Sequence, residues 1–178
     1  MIGYVRRMSV YFAEMFPLPV HLATAALTYL ATAAYARFLM ELNATIWTVW
    51  LPVGIWSYLA VPLMLRLMDE LKDVDIDRAL FADRPVPSGQ VRESDIRLTL
   101  VLVIVAFLLL NGLSAPTLTA ALVLVGYALL MFKRFFADQA HRRSLPLTLA
   151  THNPIVPLSL CYGFFLFAAE QELGLRSL

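Results

Sequence analysis

Residues 69–77 read Asp-Glu-Leu-Lys-Asp-Val-Asp-Ile-Asp and follow an apolar segment, from Thr45 to Leu67, that is long enough to cross a membrane. Asp69, Asp73 and Asp77 are spaced i, i+4 and i+8, so a continuing helix would place them on one face. Carboxylates arranged in this way repel one another, and the C-terminal end of a helix already carries partial negative charge. Residues 69–77, called the acidic stretch below, therefore need compensating positive charge.

The acidic stretch offers the oxygen ligands that hard divalent cations prefer, and Mg²⁺ is typically held by one or two carboxylates together with substrate phosphates. Behind it lies the segment Arg84-Pro85-Val86-Pro87-Ser88-Gly89, whose proline and glycine content predicts a compact loop. The residues thus predict a metal–diphosphate site at the mouth of a membrane bundle. The alternative is a set of solvated carboxylates outside a span. Asp75 and Asp83 do not belong to the i, i+4, i+8 series, and we expect them to be solvated or paired with neighbouring cations.

The composition is that of an integral membrane protein. Of the 178 residues, 60% are hydrophobic, and apolar runs long enough to cross a membrane recur along the chain. The formal net charge of +1 gives no indication of nucleic-acid binding. The single cysteine, Cys161, excludes a disulfide framework and a cysteine metal cluster within this chain. We expect one all-α membrane domain over residues 1–178.

The apolar pattern predicts a polytopic bundle with about five membrane-spanning helices. Residues 1–16 mix Arg6 and Arg7 with aromatic residues, which is typical of a short interfacial helix. Trp47, Trp50 and Trp56 cluster in the first half of the second span, as expected for an aromatic belt. The predicted spans lie near residues 18–40, 45–67, 96–110, 117–132 and 145–169.

The distribution of lysine and arginine predicts the orientation of the chain in the membrane. With alternating spans, one side receives 12 of the 14 basic residues, from three segments of the chain. The other side receives only Arg37 and Arg176. Because cytoplasmic segments are enriched in Lys and Arg, we expect the N-terminus and the acidic stretch to be cytoplasmic, in a bacterial-type cytoplasmic membrane.

The acidic stretch and its loop resemble the first aspartate-rich motif of the UbiA-type intramembrane prenyltransferase superfamily. That motif usually reads Asn-Asp-x-x-Asp-x-x-x-Asp with Arg-Pro and Gly a short way downstream; here it is Asp69-Glu70-x-x-Asp73-x-x-x-Asp77, then Arg84-Pro85 and Gly89. The order of predicted spans around the motif is similar as well. The resemblance covers the whole chain, but only about the first three-fifths of a usual family member. It implies the N-terminal half of the UbiA fold.

The resemblance implies Mg²⁺-dependent transfer of an isoprenyl group from its diphosphate to an acceptor, commonly an aromatic one, in the membrane. It implies that Asp69, Asp73 and Asp77 are catalytic carboxylates that hold the metal together with Glu70, which stands where an aspartate is usual. The residues that it implies for diphosphate binding are Arg84, Lys133, Tyr127 and, with less support, Lys72. Arg78 and Arg134 are further basic candidates, although cations at a membrane edge often extend to the surface without binding a ligand.

The chain departs from the family pattern in one respect. Members carry a second aspartate-rich motif on a later cytoplasmic loop. In this sequence no Asp or Glu pair after Asp138 replaces that motif. Glu170 and Glu172 do not qualify, because they are predicted on the opposite side of the membrane. Three accounts stay open: a fragment of a longer protein, which we favour, a shortened member with another role, or a half completed by a partner.

Two other functions compete with prenyl transfer. The first is a non-catalytic membrane subunit that uses the fold for packing or for binding a lipid or quinone. The second is a divalent-cation transporter, which would place its carboxylates near the bilayer midplane. We regard the transporter as the weaker alternative, because the acidic stretch is predicted at the cytoplasmic edge.

Overall fold

The computed structural model describes residues 2–41 and 51–175. Within these ranges the chain is helical and contains no strand, which confirms the predicted all-α class. The helices are α1 (Ile2–Glu14), α2 (Leu18–Leu39), α3 (Leu51–Lys72), α4 (Val74–Leu80), α5 (Glu93–Asn111), α6 (Ala115–Phe132), α7 (Asp138–Arg143), α8 (Leu145–His152) and α9 (Ile155–Leu175).

Three helical segments of the described chain are long and apolar enough to cross a membrane: Leu51–Lys72, Ala115–Phe132 and Leu145–Ala169. A fourth candidate arises if α1 and α2, which are bent by 65° relative to each other, count together as one span. Helix α5 overlaps the predicted span near residues 96–110 but is not among these candidates. Its first two turns carry the charged residues Glu93, Asp95 and Arg97. Five spans and their orientation therefore stay predictions. Trp47 and Trp50 lie outside the described residues.

Helix α3 is the centre of the bundle, since it contacts α2, α5, α6 and α9. Its buried residues include Leu59, Ala60, Leu63 and Leu67, which recur every three to four positions as expected for a helix facing a core. Pro62 lies inside α3, where it removes one backbone hydrogen bond. The acidic stretch begins at the last turn of this central helix, so the packing of the bundle fixes its position.

A buried polar group ties α3, α5 and α9 together near the N-terminal end of α3. The side-chain amide of Asn111 donates to the Phe107 carbonyl at 2.8 Å and lies 3.5 Å from the Ser57 hydroxyl. The Tyr162 hydroxyl donates to the side-chain Oδ1 of Asn111 at 2.7 Å. A polar group in an apolar interior is costly unless it is paired, and these bonds remove that penalty. They fix one end of α3, while the acidic stretch lies at the other.

Two glycines allow large aromatic side chains to approach the helix backbone. A Cβ atom at Gly54 would overlap the ring of Tyr29, and one at Gly163 would overlap the hydroxyl of Tyr58. Small residues are known to permit this kind of close helix packing in membranes. Glycine at these two positions is therefore a packing requirement of the contacts among α2, α3 and α9.

We predict that Gly163→Ala lowers the free energy of unfolding by about 1–3 kcal/mol, because the added methyl group overlaps Tyr58 and forces a shift in a tightly packed region. Gly126→Ala is the matched control, since a Cβ atom at Gly126 meets nothing within 4 Å. Thermal unfolding of the purified chain in detergent measures both. Equal melting temperatures for the two variants would contradict this account of the interface.

Candidate functional site

The acidic stretch spans the junction between α3 and α4, where Asp73 separates the two helices with φ −107° and ψ 14°. The helical hydrogen bonds nevertheless continue across the junction. The amide of Asp73 donates to the Asp69 carbonyl at 3.0 Å, and the amide of Asp77 donates to the Asp73 carbonyl at 2.9 Å. The three aspartates are therefore about one turn apart, but they do not share one face as their spacing predicted. The helix breaks at Asp73, and Asp77 is buried whereas Asp69 and Asp73 are partly exposed.

The inner side of the acidic stretch consists of two buried carboxylates, each paired with an arginine. Glu70 is 2% exposed and accepts a bond of 2.5 Å from Arg66, one turn earlier on α3. Asp77 is 8% exposed and pairs with Arg84 at 3.1 Å. A buried carboxylate without a positive partner would be strongly destabilising, so the two arginines are required by the fold whether or not a ligand binds.

The loop after α4 presents Arg84 to Asp77. The amide of Ser88 donates to the Arg84 carbonyl at 2.9 Å, and the amide of Val91 donates to the Pro85 carbonyl at 2.8 Å. Gly89 has φ 79°, a left-handed conformation that glycine adopts without strain. The guanidinium of Arg84 also stacks on the ring of Phe81, 3.9 Å from its centroid. The compact loop predicted from the sequence thus orients one cation toward the acidic stretch.

The outer side of the acidic stretch is half-exposed and is paired with cations as well. Asp69 contacts Lys72 at 2.6 Å, and Asp73 contacts Arg134 at 2.7 Å. Arg134 also pairs with Asp138. Burial disfavours the charge on Arg134, but its bonds to Asp138 and Asp73 outweigh that effect, so the pKa of Arg134 is raised above its ordinary value. This arginine is held as a permanent cation between two carboxylates.

Arg134 reaches Asp73 because the chain reverses in a left-handed turn after α6. Arg134, Phe135 and Phe136 have φ of 46°, 50° and 58°. Non-glycine residues in this region cost on the order of 1–3 kcal/mol each and persist only where the surroundings impose them. Here the ion pairs of Arg134 and the contacts of Phe135 with Tyr127 and His141 hold the turn.

The structure brings only some of the predicted diphosphate-binding residues to the acidic stretch. Arg84 and Lys72 lie on it, but the ammonium of Lys133 lies over the ring of Phe132, 5.2 Å from its centroid, and forms no ion pair within the described residues. The hydroxyl of Tyr127 donates to the Thr151 carbonyl at 2.8 Å. Arg134 occupies the position expected for Lys133, because the left-handed turn points consecutive side chains in different directions.

The remaining charged residues of the region lie apart from this arrangement. Asp75 is 91% exposed at its side chain and lies 3.4 Å from Arg78, which also bonds Glu93 at 2.7 Å. Asp83 is exposed. Arg78 therefore contacts Asp75 and Glu93, at the start of α5. It forms no ion pair with Asp69, Asp73 or Asp77.

The carboxylates of the acidic stretch suit Mg²⁺ by their chemistry, because they are hard oxygen ligands on adjacent turns. Within the described ranges, however, no group of three or more His, Cys, Asp or Glu side chains lies close enough to form a metal site by itself. Each carboxylate is instead neutralised by its own cation. The donor set fits an ion that takes one or two carboxylates and completes its shell with phosphate oxygens, the usual mode for Mg²⁺.

Helix α1 is anchored beside the acidic stretch by contacts that the sequence did not reveal. Arg7 forms two bonds with the carboxylate of Asp95 on α5, at 2.6 and 2.8 Å, and the Tyr4 hydroxyl lies 2.8 Å from the hydroxyl of Thr99. The bonds from Arg7 hold the pKa of Asp95, one residue before the predicted third span, below its usual range. Through these contacts α1 brings the buried side chain of Tyr11 close to Arg66 and Glu70.

Comparison with known proteins gives one informative relative. A 4-hydroxybenzoate octaprenyltransferase from Enterobacter sp. (strain 638) is 30% identical to this chain over 152 residues. The alignment covers 72% of this chain and 52% of the relative, so the chain spans about half the length of the curated protein it matches. No family model and no solved structure matches the chain.

We predict a pH-dependent contribution of the Arg7–Asp95 pair to stability. Because the folded-state pKa of Asp95 is lowered, the stabilisation is complete above the pKa of about 3.9 of an unfolded aspartate and is lost as the pH falls through the lower folded-state value. Arg7→Gln should therefore melt below wild type near neutral pH, and the difference should shrink as the pH falls below about 4.

Arg6→Gln is the matched control for this measurement, since Arg6 is the exposed neighbour of Arg7 on the same helix. It should melt as wild type does across the pH range. A difference between Arg7→Gln and wild type that is constant with pH would show that the Asp95 pair does not anchor α1.

Proposed function

Since the chain is related to the UbiA-type intramembrane prenyltransferases, as its acidic motif predicted, we propose that it binds an isoprenyl diphosphate and takes part in transferring the isoprenyl group to an aromatic acceptor in the membrane. The name of the relative describes an aromatic acid as the acceptor and an octaprenyl group as the one transferred. For this chain we propose the same chemical classes of substrate, without the specific acceptor or prenyl length.

The observation that carries the proposal is the pairing of four carboxylates with four cations in one place. Asp69, Glu70, Asp73 and Asp77 pair with Lys72, Arg66, Arg134 and Arg84 respectively. A diphosphate attracts the cations and a divalent metal attracts the carboxylates. A metal diphosphate can therefore enter by exchanging partners within the site, with little change in the total charge of the region.

Mg²⁺ is the expected cofactor, and Asp73 and Asp77, with Asp69 and Glu70 beside them, are the residues that would hold it. When bound, such an ion would neutralise part of the charge that develops on the departing pyrophosphate. Asp73 is partly exposed and Asp77 is largely buried, so these two adjacent turns present carboxylate oxygens both at the surface and inside the bundle.

The basic residues of the chain supply the remaining stabilisation. Breaking the allylic carbon–oxygen bond leaves both electrons on the pyrophosphate, and N–H donors already oriented toward that charge lower the barrier. Arg84 is oriented by its loop and by Phe81, and Arg134 by Asp138 and the left-handed turn. The allylic carbon then forms a bond to a carbon of the aromatic ring, and the ring proton passes to the released pyrophosphate or to water. The planar guanidinium group suits both arginines to a diphosphate.

An apolar cavity lies on the bundle side of the acidic stretch. It has a volume of about 290 Å³ and lies between α2, α3 and α9, and its α3 wall runs from Ser57 through Val61 to Leu65. Leu65 directly precedes Arg66, so the cavity begins at the turn where the charged pairs end. We propose that it accepts apolar substrate atoms whose charged end lies at the acidic stretch.

We predict that Arg134→Gln weakens the binding of geranyl diphosphate by about tenfold or more, because one charge-assisted hydrogen bond to the diphosphate is lost. Lys133→Gln is the matched control from the adjacent position and should change the dissociation constant by less than about threefold, since Lys133 is directed toward Phe132. Titration calorimetry on the purified chain in lipid nanodiscs with Mg²⁺ gives both constants.

The opposite ranking, with Lys133→Gln the weaker binder, would mean that the turn rearranges when substrate binds. A wild-type chain that binds no isoprenyl diphosphate, and releases no pyrophosphate when an aromatic acceptor is added, would contradict the proposal. That result would favour the non-catalytic packing role, in which the ion pairs serve the fold alone.

A further inference from the structure

The hydroxyl of Tyr11 on α1 is a buried donor without a partner. The side chain is 0% exposed, and no atom of the described residues is in position to form a hydrogen bond with its oxygen. The nearby Tyr4 on the same helix has a partner, Thr99, at 2.8 Å. Leaving a buried hydroxyl unpaired is costly, and phenylalanine would fill the same space without that penalty.

The surroundings of this hydroxyl are charged. The guanidinium of Arg66 lies near its oxygen, although not in position for a full hydrogen bond, and the negative charges of Glu70 and Asp69 also act on it. The hydroxyl therefore lies beside the inner side of the acidic stretch. Among the described residues, the indole nitrogen of Trp56 is also buried without a partner, but it lies on α3 fourteen residues before Glu70, about 20 Å along the helix. Of the two, only Tyr11 is next to the acidic stretch.

Arg66 has unused hydrogen-bonding capacity at the same place. Its Nη2 atom donates to Glu70, while its Nε and Nη1 atoms form no hydrogen bond with the described residues. A guanidinium has five N–H donors, so within the described residues Arg66 can still donate to a further acceptor. The side chain is 32% exposed and can therefore be reached from outside the bundle.

Two neighbouring groups that lack acceptors define the chemistry of what they would bind. The hydroxyl of Tyr11 and the free N–H groups of Arg66 can all donate to one oxygen, and the positive charge of Arg66 favours an anionic one. Glu70 cannot be that acceptor, because Tyr11 lies out of hydrogen-bonding position to it. A partner that suits both groups is therefore an anionic oxygen from outside the described residues.

We propose that Tyr11 and Arg66 bind an anionic oxygen of a substrate at the inner side of the acidic stretch, with Tyr11 as a residue that positions the substrate. This assignment rests on the proposed function. Two substrate groups have the required chemistry: the diphosphate of the isoprenyl donor and the carboxylate of an aromatic acid acceptor. Helix α1, held by Arg7 and Asp95, then contributes directly to the site.

The test compares Tyr11→Phe with Tyr4→Phe, because each removes one hydroxyl from α1 and only the second breaks a bond within the protein. Binding of inorganic pyrophosphate with Mg²⁺ and, separately, of benzoate is measured for the purified chain in lipid nanodiscs, together with the melting temperature. Tyr11→Phe should weaken one of the two ligands by about tenfold without lowering the melting temperature. Tyr4→Phe breaks the bond to Thr99 and should lower the melting temperature, but it should change both affinities by less than about threefold, because the Arg7–Asp95 pair still holds α1.

The ligand that is weakened identifies which substrate group Tyr11 contacts. If wild type binds either ligand and Tyr11→Phe binds both as wild type does, the assignment of Tyr11 is overturned while the proposed function stands. If Tyr11→Phe lowers the melting temperature and leaves both affinities unchanged, Tyr11 serves the fold and the assignment is again overturned. A wild type that binds neither ligand overturns the proposed function and this assignment together.

Discussion

Four carboxylates within two turns of helix, at the end of the central helix of an apolar bundle, impose the main physical constraint on this molecule. Unpaired, they would repel one another and the C-terminal end of α3. The structure meets the constraint with four cations from three parts of the chain: Arg66 and Lys72 on α3, Arg84 on the following loop, and Arg134 after α6. The loop conformation and the left-handed turn both follow from the need to place these cations.

The same constraint explains how a site can form from ion pairs that also maintain the fold. The carboxylates of the inner pairs are buried, so these pairs cannot be lost without leaving an isolated charge in the bundle. The outer pairs are more accessible, and screened pairs at a surface contribute little to stability. Partner exchange is therefore easiest at Asp69 and Asp73, while Glu70 and Asp77 keep the position of the stretch fixed.

Local features of the site were predictable from the sequence, and long-range ones were not. The spacing of the aspartates and the composition of the loop at Arg84 are encoded within 21 residues, from Asp69 to Gly89. Whether Arg134 or Lys133 reaches the acidic stretch depends on three consecutive residues with positive φ. None of the three is glycine, so the sequence carries no signal for this turn. The sequence did not indicate that Tyr11 lies near the acidic stretch. Its position there depends on the bend between α1 and α2 and on the hydrogen bonds from α1 to α5.

The carboxylates are already neutralised by the cations of the chain, so a divalent metal should bind well only together with a diphosphate. Mn²⁺, which can replace Mg²⁺ among oxygen ligands, makes this measurable by electron paramagnetic resonance on the purified chain in nanodiscs. We predict weak Mn²⁺ binding by the chain alone and strong binding when inorganic pyrophosphate is added, beyond that of pyrophosphate without protein. Equally strong Mn²⁺ binding with and without pyrophosphate, or no binding by the chain in either case, would contradict the account.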